Sequence, residues 1–581
     1  MGAPKAAEFV LQALKQEGVG HVFTVPGGLI DDFLPAFGAA TSVTAIVAAS
    51  ETGAGFMADG YARASGRFGA CLALGGPGAA NLVPALSSAY SDGSPILALA
   101  GEVPSDWELR GAFQDGSAAD LEIMRPITVF AREVPVVSSL PHDLHVAVRT
   151  MAGNVQRPVF LSLPQQIQSQ PVAEPYHPVK HWLDEPPRVL DRASAENARS
   201  LLTSGAKLAI LAGNGAMRSG ATDVLTELAD TFHIPVASTL RAKSVFQEDH
   251  GYALDVFGYA GTRRATLAIT PQDDPSTDPN KEKLRADVLL ILGSALNQRD
   301  TLYRSSPGLP KVTVQVDIDP TAFNRHYPVS ATVMGDVREF LRWMLDDPAV
   351  SQALAKSRPA RDSWISDLQN FAPFWYDFDN IKSDAVPIHP ARVVYDLNNV
   401  VPVDCMLVVD SGAHRAFAGH YWQCHAAGPK RYFTATTMAP MGWAIAAAAG
   451  IKVALPDRPC VVLTGDGCML MQGMEIQTAV RYGLKIVYVV INNSALGNVY
   501  LRAKQQGPSA AALAELPTHD WVQFARGLGA DGERVLKPGD LAAAFDRALK
   551  SSKPYVVDVV CDKNFVTPVY PWQNAKQLSF E

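Results

Sequence analysis

Pro459-Cys-Val-Val-Leu-Thr464 is a short apolar run that ends in Gly465-Asp466-Gly467. A helix-like segment follows to about residue 482, and a second apolar run over residues 485–491 ends in Asn492-Asn493. Two strand-length runs joined by a helix form a crossover unit that lays its strands parallel, with both carboxyl ends at one edge of the sheet. Asp466 and Asn493, 27 positions apart, then stand side by side at that edge. Magnesium takes about six oxygen ligands, only one or two of them carboxylates, and leaves positions for phosphate. A carboxylate from Asp466, an amide oxygen from Asn493 and the backbone carbonyl of Ala495 meet that demand. Gly465 and Gly467 admit a diphosphate close to the backbone, and the helix that follows points its positive end at the same anion. Each half of the pattern alone is an ordinary turn or strand terminator. Their order and separation carry the reading.

The same alternation runs outward through the chain. Residues 43–49, 70–74, 96–100, 208–212, 406–409 and 555–560 are short apolar runs, and longer stretches with helical spacing lie between them. Such alternation predicts an α/β protein of doubly wound parallel sheets covered by helices. Three domains are expected: 1–170, 190–346 and 385–581. A proline-rich stretch over 171–187 reads as an extended linker, and a second linker carries Pro348, Pro359 and Pro373. Residues 270–280, polar and punctuated by proline, read as a surface loop.

Composition narrows the function. The chain has 581 residues, 48% of them apolar and 19% charged, and a formal charge of −8. That balance argues against a nucleic-acid or anionic-membrane partner. No apolar run reaches the roughly 18 residues of a membrane span, and the N-terminal residues lead directly into an amphipathic helix pattern, so neither a signal peptide nor an anchor is expected. Six cysteines, at 71, 405, 424, 460, 468 and 561, form no CxxC pair. They point to a reducing cytoplasm rather than to disulfides or zinc.

The GDG and NN elements together resemble the signature of thiamine-diphosphate-dependent enzymes. Further segments, in order along the chain, resemble the large subunit of acetolactate synthase (acetohydroxyacid synthase). They are Val22-Phe-Thr-Val-Pro26-Gly27-Gly28; Glu51 followed by a small-residue helix with Gly60-Tyr-Ala-Arg63; Gly75-Gly-Pro77-Gly-Ala-Ala-Asn81; Phe113-Gln114-Asp115 with Arg125-Pro-Ile-Thr128; and Gly412-Ala413-His414. The resemblance implies thiamine diphosphate and Mg2+ as cofactors. It makes Glu51 the carboxyl that bonds the aminopyrimidine ring, with Gln114 a second catalytic residue. Gly27, Gly28, Pro77, Asn81, Ala413, His414, Gly465, Asp466, Gly467 and Asn493 would line the cofactor. Met441 would buttress it, and the carbonyl of Ala439 would face its amino group. In this family the Glu-bearing domain of one subunit meets the diphosphate-bearing domain of another, which implies a homodimer or homotetramer with active sites at the subunit interface.

The middle block, with Gly213-Asn-Gly215, Gly258-Tyr-Ala-Gly261, Leu292-Gly293 and Val316-Asp317-Ile-Asp319, resembles the FAD-binding domain of acetolactate synthases. Related decarboxylases keep that domain without a nucleotide, so FAD or no nucleotide is implied. Ser50, Gly28 and the glycines after Leu74 leave the site poor in histidine, which resembles the carboligating branch: a 2-oxo acid is decarboxylated and joined to a carbonyl acceptor. Phe113 and Arg299 fall at substrate-side positions. Arg502 stands where acetolactate synthases carry Trp, and Val129 where they carry Lys, so an altered acceptor, or none, is expected. A simple 2-oxo acid decarboxylase or lyase, a flavin-dependent oxidase of the pyruvate-oxidase kind, and an inactive assembly or regulatory paralogue are the alternatives.

Overall fold

The computed structural model describes residues 2–38, 43–107, 110–114, 120–153, 155–179, 188–301 and 308–568. Among these, three six-stranded sheets are all parallel. The first holds β1 (His21–Thr24), β2 (Thr44–Val47), β3 (Gly69–Leu74), β4 (Ile96–Glu102), β5 (Phe130–Glu133) and β6 (Val159–Pro164), in the order β2-β1-β3-β4-β6-β5. The second holds β7 (Leu208–Ala212), β8 (Val236–Thr239), β9 (Ala253–Phe257), β10 (Val288–Leu292), β11 (Val312–Asp317) and β12 (Ala331–Met334), in the order β12-β11-β10-β7-β8-β9. The third holds β13 (Met406–Val409), β14 (Tyr432–Thr434), β15 (Cys460–Gly465), β16 (Val487–Asn492), β17 (Asp531–Val535) and β18 (Tyr555–Val560), in the order β14-β13-β15-β16-β18-β17. Every residue of β3, β4, β6, β15 and β16 is buried. Helices on both faces of a parallel sheet demand this, and it is why these strands read as unbroken apolar runs rather than alternating ones.

Two small-residue helices join the first and third sheets into one core. Helix Glu51–Ser65 crosses helix Trp443–Ala454 so closely that a Cβ on Gly60 would lie 2.2 Å from the Ala447 carbonyl oxygen. One on Gly450 would lie 1.8 Å from that of Met57. Only hydrogen at these positions lets the backbones approach. At the edge of this contact Asp92 pairs with Arg63 (3.0 Å), accepts the Thr436 and Thr437 N–H groups, and lies 3.8 Å from Arg241 of the middle domain. One buried carboxylate thereby links all three domains.

Two sequence expectations are sharpened. The second linker, with Pro348, Pro359 and Pro373, is largely helical, because helices Pro348–Lys356 and Arg358–Phe371 occupy it. Proline in the first turn of a helix loses no internal hydrogen bond, so Pro348 and Pro359 start helices rather than prevent them. Within 270–280, Asp273 and Asp274 are buried, and Asp274 bonds Arg263 at 2.8 Å, so this part of the predicted surface loop is anchored inward. The first linker falls partly outside the described residues, at 180–187. No helix among the described residues is long and apolar enough to cross a membrane.

Candidate active site

In the third sheet the strand order turns outward on either side of β13 and β15, which opens a crevice beyond their carboxyl ends. Ligands of open α/β sheets bind at such points. Asp410-Ser411-Gly412 leaves β13 there, and Gly465-Asp466-Gly467 leaves β15. Asp466 is buried; its Oδ1 accepts the Gly467 N–H at 2.8 Å, and the nearby backbone N–H groups of Asn493, Ser494 and Ala495 favour its charged form. The loop after β16 therefore closes on the loop after β15. Asn493 Oδ1 accepts the Ala495 N–H at 3.2 Å, and the Ala495 carbonyl accepts that of Gly497 at 2.9 Å. Asp466 Oδ2 has no hydrogen-bond partner among the described residues. Burial pushes the carboxyl up to about 6, against the pull of those N–H donors. A buried carboxylate oxygen without a donor, beside an amide oxygen and a carbonyl that keeps a lone pair, fits a hard divalent cation.

His414 closes the crevice from the β13 side. Its ring packs on Gly412 and Gly465, where added Cβ atoms would lie 2.5 and 3.2 Å away. Burial first, then the neighbouring Arg415 charge, lowers its pKa to about 3, so the imidazole is neutral. Its Nε2 is a second buried polar atom without a hydrogen-bond partner among the described residues. Ala413 lies against Gly497, where a Cβ would sit 3.1 Å from its own. Met441 Cε lies 2.9 Å from where a Cβ on Gly467 would be, and Ala439 holds a left-handed backbone (φ 55°) just before it. Asp410 keeps this turn in place. Fully buried, it accepts the Gly442 N–H (2.9 Å), the Ser411 N–H (2.9 Å) and the Thr464 hydroxyl (3.1 Å).

The first sheet has the matching crevice, beyond β1 and β3. Gly27 follows β1, and a Cβ on it would strike the Leu74 side chain at 2.1 Å. Gly28 begins a short 3-10 turn and faces open space. Pro77 starts helix Pro77–Asp92, whose Asn81 donates from Nδ2 to Glu51 Oε2 at 3.0 Å and accepts the Thr52 hydroxyl at its carbonyl. Glu51 is the first residue of its helix, capped by Ser50, whose Oγ accepts the Gly53 N–H at 3.0 Å. Behind the turn after β3, Glu102 and Asp120 form a buried carboxyl pair. Burial and the Asp120 charge push Glu102 up to about 8.

The fold thus collects the sequence-predicted residues into two groups. Gly27, Gly28, Glu51, Pro77 and Asn81 border the first crevice; Ala413, His414, Ala439, Met441, Gly465, Asp466, Gly467, Asn493 and Ala495 border the other. No described contact joins Glu51 to Asp466 within one chain. Four residues belong to neither group. Phe113 is 86% exposed, and Gln114 beside it has a left-handed backbone (φ 66°). Arg299 stacks over Tyr259 of the middle domain at 4.3 Å, and Arg502 is exposed near the end of helix Gly497–Lys504. Residues 115–119, which include Asp115, lie outside the described residues.

Three residues that matter to the geometry escaped the sequence reading: Asp410, Glu475 and Tyr482. Asp410 had a signal, an acid directly after an apolar strand beside Gly412. Glu475 and Tyr482 had none, because their partners lie more than four hundred positions away.

Comparison with known proteins matches three family models. Residues 4–121 match the thiamine pyrophosphate enzyme N-terminal TPP binding domain, 195–344 the central domain, and 410–559 the C-terminal TPP binding domain. The chain is 30% identical to a "Probable acetolactate synthase large subunit" of Methanocaldococcus jannaschii, over 98% of this chain and 93% of that one. It is 28% identical to "Acetolactate synthase isozyme 3 large subunit" of Escherichia coli (98% and 96% covered) and 27% identical to "Acetolactate synthase large subunit" of Haemophilus influenzae (98% and 96%).

Proposed function

Since the chain belongs to the thiamine pyrophosphate enzyme family and is an enzyme of the acetolactate synthase type, we propose that it decarboxylates a 2-oxo acid and joins the remaining fragment to a second carbonyl compound. The observation that carries this reading is the pair of complementary crevices. One presents Asp466 Oδ2, buried without a donor, and the other presents Glu51 held by Asn81.

Asp466, Asn493 and the Ala495 carbonyl would hold Mg2+ against the diphosphate of the cofactor, with Gly465, Gly467, Ala413 and His414 along its path. Thiamine diphosphate, when bound, supplies the electron sink that lets a carboxyl group leave as carbon dioxide. The chain's own contribution is position and proton placement. Asn81 occupies Glu51 Oε2, which leaves Oε1 to hold a proton toward the aminopyrimidine ring. Met441 would buttress the cofactor beside the Asp466 loop, and the Ala439 carbonyl would face its amino group. The neutral His414 adds no positive charge there.

In this reading the working unit is a homodimer, or a tetramer of two such dimers, as the family resemblance implies. Glu51 of one copy would serve the diphosphate crevice of the other. Leu470, Met471 and Met474, each about half exposed directly after the Asp466 loop, form the apolar face that a second copy would cover. Gln114 and the exposed Phe113, with Arg299 and Arg502, are the proposed substrate-side groups; a guanidinium at Arg502 suits an acceptor with an anionic group. FAD in the middle domain is part of the reading too. It is supported by the glycine turns after β7 and β10 and by Asp317 at the end of β11, which burial raises to about 6. Visible absorbance of the purified protein decides that point.

The test of the main reading is Glu51→Gln, assayed with a panel of 2-oxo acids and carbonyl acceptors in the presence of thiamine diphosphate and Mg2+. Turnover should fall about 100-fold or more, while Mg2+-dependent cofactor binding persists. Wild-type turnover in that variant would refute the assignment.

A further inference from the structure

The stretch that delivers Glu51 to its crevice is held from outside its own domain. Strand β2 is an edge strand that stops at Val47, and the chain then runs over Ala48-Ala49-Ser50 into the Glu51 helix. Its free edge should present unpaired N–H groups. Instead, the Tyr482 hydroxyl accepts the Val47 N–H at 2.8 Å and approaches the Ala45 carbonyl at 3.3 Å. The Glu475 carboxylate takes the next two donors, the Ala49 N–H at 3.0 Å on Oε2 and the Ser50 N–H at 3.1 Å on Oε1. It also accepts the hydroxyls of Ser50 (3.3 Å) and Thr478 (2.7 Å). Glu475 is only 1% exposed, and a Cβ on Gly53, in the first turn of the Glu51 helix, would lie 1.8 Å from its Oε1.

This is a fixed seat rather than a surface ion pair. All four contacts of the carboxylate are donors, so it is satisfied as an anion, and it lies at the positive end of the helix that Glu51 begins. Tyr482 and Glu475 stand seven positions apart on one short run of the third domain. The register and the rotation with which Glu51 enters its crevice are therefore set by that domain, not by β2 alone.

We infer that Glu475, with Tyr482, is a positioning residue for Glu51: it fixes the backbone of Ala49 and Ser50 so that the Glu51 carboxyl meets the cofactor ring in one orientation. The inference rests on the reading of Glu51 given above, and it makes no contact with substrate or cofactor itself. Replacing the carboxylate should loosen the run into the helix and slow the one step that depends on Glu51, without weakening the grip of the remote diphosphate crevice.

The experiment uses the full chain and two readouts. Without added cofactor, backbone amide deuterium exchange of the peptide covering residues 45–53 is followed by mass spectrometry. With thiamine diphosphate and Mg2+ bound, deuterium exchange at the thiazolium C2 position is measured by rapid quench, a readout that needs no knowledge of the substrate. Glu475→Ala should raise amide exchange in that peptide and slow C2 exchange by about 10- to 100-fold, with cofactor affinity within about threefold of wild type. Tyr482→Phe should raise amide exchange at Val47 and slow C2 exchange less. If Glu475→Ala fails to fold, Glu475→Gln carries the test, since the amide keeps the shape but only one acceptor, and an intermediate slowing is expected. Wild-type C2 exchange in a folded Glu475 variant overturns the inference. Wild-type C2 exchange in the parallel Glu51→Gln protein overturns instead the reading of Glu51 on which it rests.

Discussion

His420 gives the stability of this protein a defined pH dependence. The side chain is fully buried where helix Ala413–Tyr421 meets the middle domain. Its Nδ1 lies 3.0 Å from the Gly261 carbonyl, and its Nε2 accepts the Tyr376 N–H at 3.0 Å. Nδ1 therefore carries the hydrogen in the neutral ring, and Nε2 serves as the acceptor. Burial lowers the pKa from 6.5 to about 4, against the pull of the neighbouring backbone carbonyls of Tyr376 and Gly261. Because the folded value is depressed, the unfolded chain binds this proton first as pH falls. Stability is thus lost from about pH 6.5 downward, and the loss from this group stops growing near pH 4. Between pH 7.5 and 5.0 linkage gives a loss of about 2 kcal/mol. His420→Gln keeps an acceptor toward Tyr376 and removes the titration. The assay is urea unfolding followed by tryptophan fluorescence, at several pH values from 7.5 to 5.0, with the variant subtracted from wild type so that other groups cancel. The variant should be the less stable at pH 7.5 by about 1–2 kcal/mol, for the bond lost to Gly261. That gap should close by pH 5.0. A gap that stays constant across the range would refute the reasoning.

Two further expectations follow from close packing and from buried polar groups. Gly450→Ala places a Cβ 1.8 Å from the Met57 carbonyl oxygen and should cost about 3 kcal/mol or more in thermal or urea unfolding, whereas Gly539→Ala, with open space around it, should change stability by no more than about 0.5 kcal/mol. Asp410→Asn turns an amide N–H toward groups that already donate, so it should lower stability by about 1–3 kcal/mol and, in a fluorescence titration, raise about tenfold the thiamine diphosphate concentration needed for half saturation; unchanged titration would remove Asp410 from the support of the crevice.

The legibility of the site in the sequence follows the distance over which each residue acts. Asp466 and Asn493 could be placed together because a strand–helix–strand unit has one handedness and one edge. Glu51 could be singled out because it sits between a strand and a small-residue helix. Glu475 could not, since an acid nine positions past a helix start looks like any solvated carboxylate until the first domain folds onto it. Pro348 and Pro359 hid the helices of the second linker because proline breaks helix interiors but suits their first turns, and the sequence alone does not say which position it holds.

The sequence by itself determined the three parallel sheets, since unbroken apolar runs alternating with helical stretches have no other stable burial. It also determined the family, through motifs whose order along the chain carries the resemblance. Only the tertiary structure decided what joins these parts. The helices of Gly60 and Gly450 pack in contact, Asp92 links three domains, and Glu475 seats the run that leads to Glu51. Each of these depends on where two distant backbones meet in space. Local propensity is blind to that, because hydrogen bonds and close contacts are set by distance between atoms and not by separation along the chain.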